Sequence, residues 1–339
     1  MQSQEGPLVA VVTPAYNGAP WLERTIASVQ NQSYPNIVHV ILDNASTDET
    51  PDMIERAAGG PKEIITKRNI ELLPQVKNWN EAISMTPPEA TYVKFNAADD
   101  LMRFDCIEKM VALAESDPEI DFVHAIDVFG DNAMPHGLET ERSIYDGDDY
   151  ARRYLRREIP WLSATHVFFR ASAETLNEPF PYDIFPLMDN DFIMDKLLRR
   201  KMGYVFEPLL FTRYTEQGET ARLGGFRSYF LPGFELLLRH GPRLFADDEF
   251  LRLKKSALRM LRRHMLYWQS TGDKKTFETV SEGLLKSGIS TGVFDYADAV
   301  LSWPAHKWKK SKLDGVLAAQ TPTESIPETA FLPVDYRID

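Results

Sequence analysis

The chain has 339 residues, 43% hydrophobic and 26% charged, and 38 Lys and Arg stand against 50 Asp and Glu for a formal net charge of −12. That is a globular composition, long enough for one large domain or two smaller ones. Its acidity argues against nucleic acid as a partner, which would favour a basic surface. The single cysteine, Cys106, excludes an intramolecular disulfide framework and a multi-cysteine zinc site. The opening MQSQEGPL has no basic segment followed by an apolar one, and no apolar run approaches about 18 residues, so a cytoplasmic chain without a leader or a spanning helix is expected.

In chain order, Leu8–Thr13 is a short apolar, β-branched run that reads as a buried parallel strand. The turn cluster PAYNGAP follows, and then a helix with Leu22, Ile26 and Val29 on one face and Pro20 suited to its first turn. Ile37–Leu42 is the second strand, and helix Thr50–Ala57 follows with Ser46, Thr47 or Asp48 as its cap. Glu63–Thr66, Thr91–Phe95 and Ile120–Ile126 read as further strands, and Gln75–Ser84 and Asp105–Glu115 as helices. This alternation predicts an α/β fold with a mostly parallel central sheet flanked by helices. From Val128 to Pro160 the pattern weakens; Thr165–Arg170 is a strand, Asp191–Arg200 a helix, and Tyr204–Tyr214 a strand interrupted at Pro208.

After Arg222 the segments 227–240, 246–270 and 274–287 have helical spacing, and Arg222 to Arg263 holds ten Lys or Arg against four Asp or Glu. Solvated helix faces explain this; the sharper reading is a surface for an anionic acceptor or peripheral contact with the inner membrane face, which WPAHKWKKSKL (303–313) extends. The organisation expected is therefore 1–222 as an α/β domain (halves of about 7–127 and 128–222), 223–303 as a helical region and 304–339 as an extended tail. TARLGGF (220–226) is a lid or a plain linker.

Ligands of open α/β sheets bind beyond the carboxyl ends of the strands, so the residues there carry the argument. They are Thr13, Pro14, Ala15, Tyr16 and Asn17 after the first strand, Asp43 and Asn44 after the second, and Asn96 to Asp100 after the fourth. Adjacent carboxylates such as Asp99 and Asp100 repel unless a cation sits between them and a ligand, and Mg²⁺ or Mn²⁺ shared with phosphates fits; capping of a helix start is the competing explanation. Asp43 could accept a hydrogen bond from a nucleobase N–H or close its own Asx turn. The first strand is followed by neither GxGxxG nor GxxxxGK[ST], which argues against a Rossmann dehydrogenase and a P-loop NTPase. GISTG (288–292) fits GxSxG, but helix-like sequence precedes it, which argues against a serine hydrolase elbow.

The ordered set TPAYNGAPWLERTIASVQNQSYPN, ILDNASTDET and YVKFNAADDL resembles family 2 of the glycosyltransferases over roughly residues 7–215, and Asn78-Trp79-Asn80 resembles a bacterial subgroup with NWN at that place. The resemblance implies a GT-A fold with a Rossmann-like nucleotide half and an activated donor, most often a nucleoside diphosphate sugar with UDP foremost. It also implies inverting transfer to a hydroxyl acceptor, a saccharide or lipid-linked saccharide, in surface polysaccharide synthesis. Carried over by position, Thr13, Pro14, Ala15, Tyr16, Asn17 and Asn80 lie with the donor and Asp43 holds the base. Asp100 is the direct metal ligand for Mn²⁺ or Mg²⁺, and Asp99 contacts the ribose or the metal. In Asp189-Asn190-Asp191-Phe192 the resemblance makes Asp189 the catalytic base, with Asp191 second; read from the residues alone, Asp189 is a helix cap. The sequence departs from the family pattern at Ala97, where a fuller motif has Asp, at Trp79-Asn80 in place of Arg-Asn, and at Arg213-Tyr214-Thr215 in place of Arg-x-His. Two other functions remain: a nucleotidyltransferase, though TPAYNGAP lacks the basic glycine-rich loop, and a silent nucleotide-sugar-binding protein.

Overall fold

The computed structural model describes residues 6–160, 168–184, 186–213, 229–302 and 325–333. The first half is β1 (Val9–Ala15), α1 (Leu22–Gln30), β2 (Ile37–Asp43), α2 (Thr50–Ala57), β3 (Glu63–Arg68), α3 (Gln75–Ser84), β4 (Tyr92–Phe95), β5 (Leu101–Met102), α4 (Cys106–Glu115) and β6 (Ile120–Phe129). There follow β7 (Asn132–Ala133), β8 (Ile144–Asp146), α5 (Gly147–Leu155), β9 (Phe168–Arg170), α6 (Ala173–Leu176), α7 (Met188–Leu197) and β10 (Lys201–Thr212). One sheet runs in the order β3-β2-β1-β4-β9-β6-β10-β5, with β7 paired to β6 and β8 to β10.

β1 and β2 are buried at every residue, which is why their sequence is a continuous apolar run rather than an alternation. β3 is the edge strand, largely exposed, and its Glu, Lys and Arg side chains discourage edge pairing. The pairs β3–β2, β2–β1, β1–β4 and β6–β10 are parallel, as the alternation predicts. β9 enters antiparallel between β4 and β6, so the sheet is mixed at its centre. Pro208 lies inside β10 but between two register shifts against β6, where a bulge accommodates its missing N–H. The weak stretch from Val128 contains the end of β6, two very short strands and α5; elements of two or three residues leave no periodicity to read.

Beyond the sheet lie α8 (Phe230–Leu244), α9 (Asp247–Thr271), α10 (Lys274–Lys286) and α11 (Val293–Leu301). Leu236, Leu237 and Leu244 of α8 join the same core as β1, β4 and α7, while Phe234, Leu261, Met265, Trp268 and Leu284 make a second core among the helices. The basic character of this region is answered largely from within. Arg239 pairs with Asp183 and Asp191, Arg243 with Asp195, Arg252 with Asp248, Arg259 with Asp298 and Arg262 with Asp295. This favours helix faces satisfied by the fold over a surface for anions. Residues 303–313 and the loop 220–226 lie outside the described residues. No helix among the described residues is long and apolar enough to cross a membrane. The tail contributes residues 325–333, including a 3-10 turn (Glu328–Phe331), which return to the sheet beside β10.

Candidate active site at the carboxyl edge of the sheet

Parallel pairing sets the polar turns side by side. Ala15 at the end of β1 is opposite Asp43 at the end of β2, and Asn96, just past β4, donates its N–H to the Val12 carbonyl at 2.9 Å. The loops after β1 and β2 are knitted together. Asn17, in the left-handed region at φ 48°, donates its N–H to Ser46 Oγ at 2.9 Å and accepts from Thr47 N–H at 2.9 Å. Gly18 N–H donates to Thr50 Oγ1 at 2.8 Å and Ala19 N–H to Asp48 Oδ2 at 3.0 Å. Burial works against the Asp48 charge, but the hydrogen bonds from Ala19 and Thr50 hold its pKa below the ordinary value.

Within these loops only some of the expected donor residues are accessible. Thr13, Pro14 and Ala15 are buried, and the Thr13 hydroxyl bonds His39 Nε2 at 3.0 Å, so that side chain faces into the sheet rather than toward a ligand. Tyr16, 46% exposed, and Asn17 form the rim. Asp43 closes an Asx turn, its Oδ1 accepting from Ser46 N–H at 3.0 Å, so the turn-closing alternative for this residue is realised. Its Oδ2 makes no hydrogen bond and lies 3.1 Å from Arg68 Nε, and Arg68 also donates to the Ser46 carbonyl at 2.8 Å. Sequence reasoning misses Arg68 because the apolar run marks the third strand only as far as Thr66, whereas β3 continues to Arg68. The rule that strand ends carry the site finds this residue once the strand's true end is known.

The Asp99–Asp100 turn is pinned from several sides. Thr25 Oγ1 donates to the Ala98 carbonyl at 2.9 Å, and Asn96 Nδ2 reaches the carbonyls of Ala97 and Asp100 at 3.2 and 3.3 Å. Arg213, the residue after β10, donates its backbone N–H to Asp100 Oδ1 at 3.0 Å and its Nε to the Asp99 carbonyl at 3.2 Å. Burial pushes the Asp99 carboxyl pKa up, with Arg213 opposing. Beneath the turn Lys94 is wholly buried and donates to the Phe95 carbonyl at 2.6 Å. Burial lowers its pKa to about 8, with Cys106, Asp100 and Asp127 pulling it back up. Among the described residues no cluster of three or more His, Cys, Asp or Glu could cage a metal. Two neighbouring carboxylates suit Mg²⁺ or Mn²⁺, which take one or two protein carboxylates and complete their shell with water and phosphate.

The Asn78-Trp79-Asn80 motif holds this edge together without facing it. Asn78 Oδ1 accepts from Asn69 Nδ2 at 3.2 Å, and Asn69 also donates to Asn44 Oδ1 at 3.0 Å, joining α3 to the loops after β2 and β3. Asn80, expected with the donor, instead bonds the main chain of Phe180 at both ends of its amide, each at 2.9 Å, with its side chain buried there. Trp79 packs between Phe95 and Phe180 at centroid distances of 4.8 and 5.8 Å. Phe180 in turn lies 5.7 Å from Phe95 and 5.7 Å from Phe192 of α7. A run of edge-to-face aromatic contacts therefore ties the end of β4, just ahead of Asp99 and Asp100, to the helix that carries Asp189.

α7 begins at Met188 with Leu187 as its cap residue, ahead of the Asp191 start that the spacing predicts, so Asp189 is inside the first turn and is not the cap. The far end of α7 leads into β10, whose first residue pairs with the first of β6, so the turn bearing Asp189 points toward the carboxyl edge. Asp189 Oδ1 accepts from the Asn190 backbone at 2.9 Å and from its amide at 3.0 Å, which fixes the carboxylate. Asp191, the second candidate base, points elsewhere. Its Oδ1 bonds His240 Nε2 at 2.6 Å and its Oδ2 accepts from Arg239 at 2.7 Å, so it fastens α8 to α7.

Comparison with known proteins agrees with this architecture. Residues 10–176 match the model for glycosyl transferase family 2. Over 109 residues the chain is 33% identical to a Bacillus subtilis protein provisionally named teichuronic acid biosynthesis glycosyltransferase TuaG, in a match that covers 31% of this chain and 41% of that one. The chain spans about two fifths of the length of the first curated relatives it matches. Among solved structures, S. aureus TarS 1-349 in complex with UDP-GlcNAc superposes with a TM-score of 0.55 at 17% identity, over 83% of this chain and 92% of that one. A mannosyltransferase, PcManGT from Pyrobaculum calidifontis, in complex with GDP-Man and Mn²⁺, gives 0.53 at 18% identity over 94% and 86%. At such identities the likeness is one of fold, and the fold is GT-A-like with a helical C-terminal region. Strand order, polar carboxyl edge and family match together give a GT-A-like α/β fold whose residues 10–176 match the glycosyl transferase family 2 model.

Proposed function

We propose that the protein is an inverting glycosyltransferase that moves a sugar from a nucleoside diphosphate sugar, UDP foremost, to a hydroxyl of a saccharide or lipid-linked saccharide in bacterial surface polysaccharide synthesis. The observation that carries this reading is the run of edge-to-face contacts Phe95–Phe180–Phe192, which links the strand end ahead of Asp99 and Asp100 to the helix that bears Asp189. In this reading residues 7–127 form the donor half and 128–222 the acceptor half, with 223–303 as a helical addition. The partners named with the solved relatives, UDP-GlcNAc and GDP-Man, are donors of the same class.

Asp43 Oδ2, buried and ion-paired with Arg68 but without a hydrogen bond, accepts from the N–H of the base, and Tyr16 lies against base or ribose. Asp100 and Asp99 are the residues that would hold Mn²⁺ or Mg²⁺. A divalent ion bound there supplies positive charge against the departing diphosphate. Asp189 takes the proton of the acceptor hydroxyl as that oxygen attacks the anomeric carbon opposite the leaving group, which inverts the centre. The rest of the acceleration comes from holding the two substrates in line.

A paired experiment tests this. With a UDP-sugar, Mn²⁺ and acceptor, Asp189→Asn should abolish transfer and leave donor binding intact, while Asp100→Ala should weaken Mn²⁺-dependent donor binding. The product to detect is nucleoside diphosphate; release of pyrophosphate would mark a nucleotidyltransferase. Near-normal turnover by Asp189→Asn would refute the assignment of the base.

A further inference from the structure

The tail segment 325–333 is built into the edge just described. Phe331 and Leu332 are buried in the main core, the Phe331 ring lies 5.4 Å from Phe211 of β10, and Ile326 N–H donates to the Asp131 carbonyl at 3.1 Å. This seating directs Glu328 at Arg213. Arg213 Nη1 donates to Glu328 Oε2 at 2.7 Å, Nη2 donates to Oε1 and completes a two-pronged pair, and Arg24 reaches the same Oε1 at 3.3 Å. The guanidinium lies 4.1 Å over the Trp21 ring, from the loop before α1, and only 10% of the Arg213 side chain is exposed. One cation thus joins the tail, the loop after β1 and the Asp99–Asp100 turn.

We propose that Glu328 is a positioning residue of the donor site: by engaging Arg213 at both prongs it holds the Asp99–Asp100 turn in shape and keeps the guanidinium from the two carboxylates. The inference rests on the reading that those carboxylates grip a cation and a diphosphate. A planar guanidinium binds a carboxylate in fork geometry wherever one is in reach. Glu328 supplies that carboxylate from behind. Arg213 already bonds this turn through its backbone N–H and its Nε; without Glu328 its free prongs turn to the Asp99 and Asp100 carboxylates, and an arginine paired with them competes with the metal for the same oxygens. The tail therefore acts on the site by charge as well as by packing.

The test uses the full chain and Mn²⁺ as the probe, alone and with UDP, read by paramagnetic resonance. Glu328→Gln, which preserves shape and removes charge, should weaken Mn²⁺–UDP binding about tenfold, or about 1.4 kcal/mol, and Glu328→Asp should restore part of it. In steady state the donor KM should rise more than kcat falls, and the acceptor KM should hold. In an Arg213→Gln background the same Glu328→Gln change should have less than about a twofold effect, because the two residues act as one unit. An unchanged Mn²⁺–UDP affinity in Glu328→Gln, or an equal loss in the Arg213→Gln background, would overturn the proposal. Amide exchange in the metal-free chain separates this from the wider reading. Glu328→Gln should speed exchange at Asp100 and Arg213, and unchanged exchange overturns the clamp. Failure of the unmutated chain to bind UDP with Mn²⁺ would overturn the donor reading, and the exchange rates would then decide the clamp by themselves.

Discussion

Asp191 and Asp189 are two residues apart in one turn of α7, yet the structure separates their work, and substitution of Asp191 measures that separation. Asp191 is 10% exposed in its side chain and His240 1%, so their 2.6 Å bond is buried. Arg243 Nη2 donates to His240 Nδ1 at 2.8 Å, so Nε2 carries the hydrogen and donates to Asp191. A buried hydrogen bond to a charged acceptor contributes about 1.5–3 kcal/mol. The 2.7 Å pair with Arg239, whose side chain is 36% exposed, is partly screened and adds under about 1 kcal/mol. Asp191→Ala should therefore cost about 3 kcal/mol by these magnitudes, a fall in Tm of roughly 4 °C for a chain of this size. Urea denaturation followed by tryptophan fluorescence reads the loss. His240→Ala and the double variant complete a cycle whose coupling should be about 1.5–3 kcal/mol. A loss below about 0.5 kcal/mol, within the range of ordinary surface changes, or no coupling with His240, would refute the structural role. An intact fold with abolished transfer would return Asp191 to the candidates for the base.

Other outcomes follow from particular contacts. Burial pushes His39 down to about 3, so the folded state declines a proton that the unfolded chain takes below its ordinary value of 6.5. Stability should thus be lost as pH falls from about 6.5 toward 3, by up to about 1.4 kcal/mol per pH unit from this group, and His39→Gln should flatten the slope of urea midpoints between pH 7 and pH 5; parallel slopes would count against it. Asn80→Ala strands both Phe180 main-chain groups in a buried site and should cost about 2 kcal/mol or more, with donor affinity changed less than by Asp100→Ala in the same binding assay. A Cβ on Gly147 would meet the Leu197 carbonyl oxygen at 2.1 Å and that of Arg200 at 2.6 Å, so Gly147→Ala must push α5 off the α7–β10 corner. Its expected cost is about 1–3 kcal/mol by thermal melting, and an unchanged Tm would contradict the close approach.

Strand ends are where the sequence is most informative. β1, β2 and β4 announce themselves as short β-branched runs because both their faces are covered, and the polar residues that stop each run are the ones that gather at the carboxyl edge. Asp43, Tyr16, Asp99 and Asp100 can be named from this local logic, since a parallel sheet fixes where such residues go. The sequence also separates the helical region after Arg222 from the sheet before it.

What requires the tertiary structure is everything decided by a partner far along the chain. Asn78-Trp79-Asn80 is visible as a motif, but whether its amides face a ligand or Asn69 and Phe180 depends on residues up to 100 positions away. Nothing local distinguishes Asp189 from Asp191; the arrival of Arg239 and His240 from α8 does. Arg213 and Glu328 meet across 115 residues, and no spacing rule relates them. Local pattern records which face of a segment is apolar, because burial acts on each residue by its own side chain. The pairing of polar groups inside the fold is a property of two segments at once, and it is settled only when the chain closes on itself.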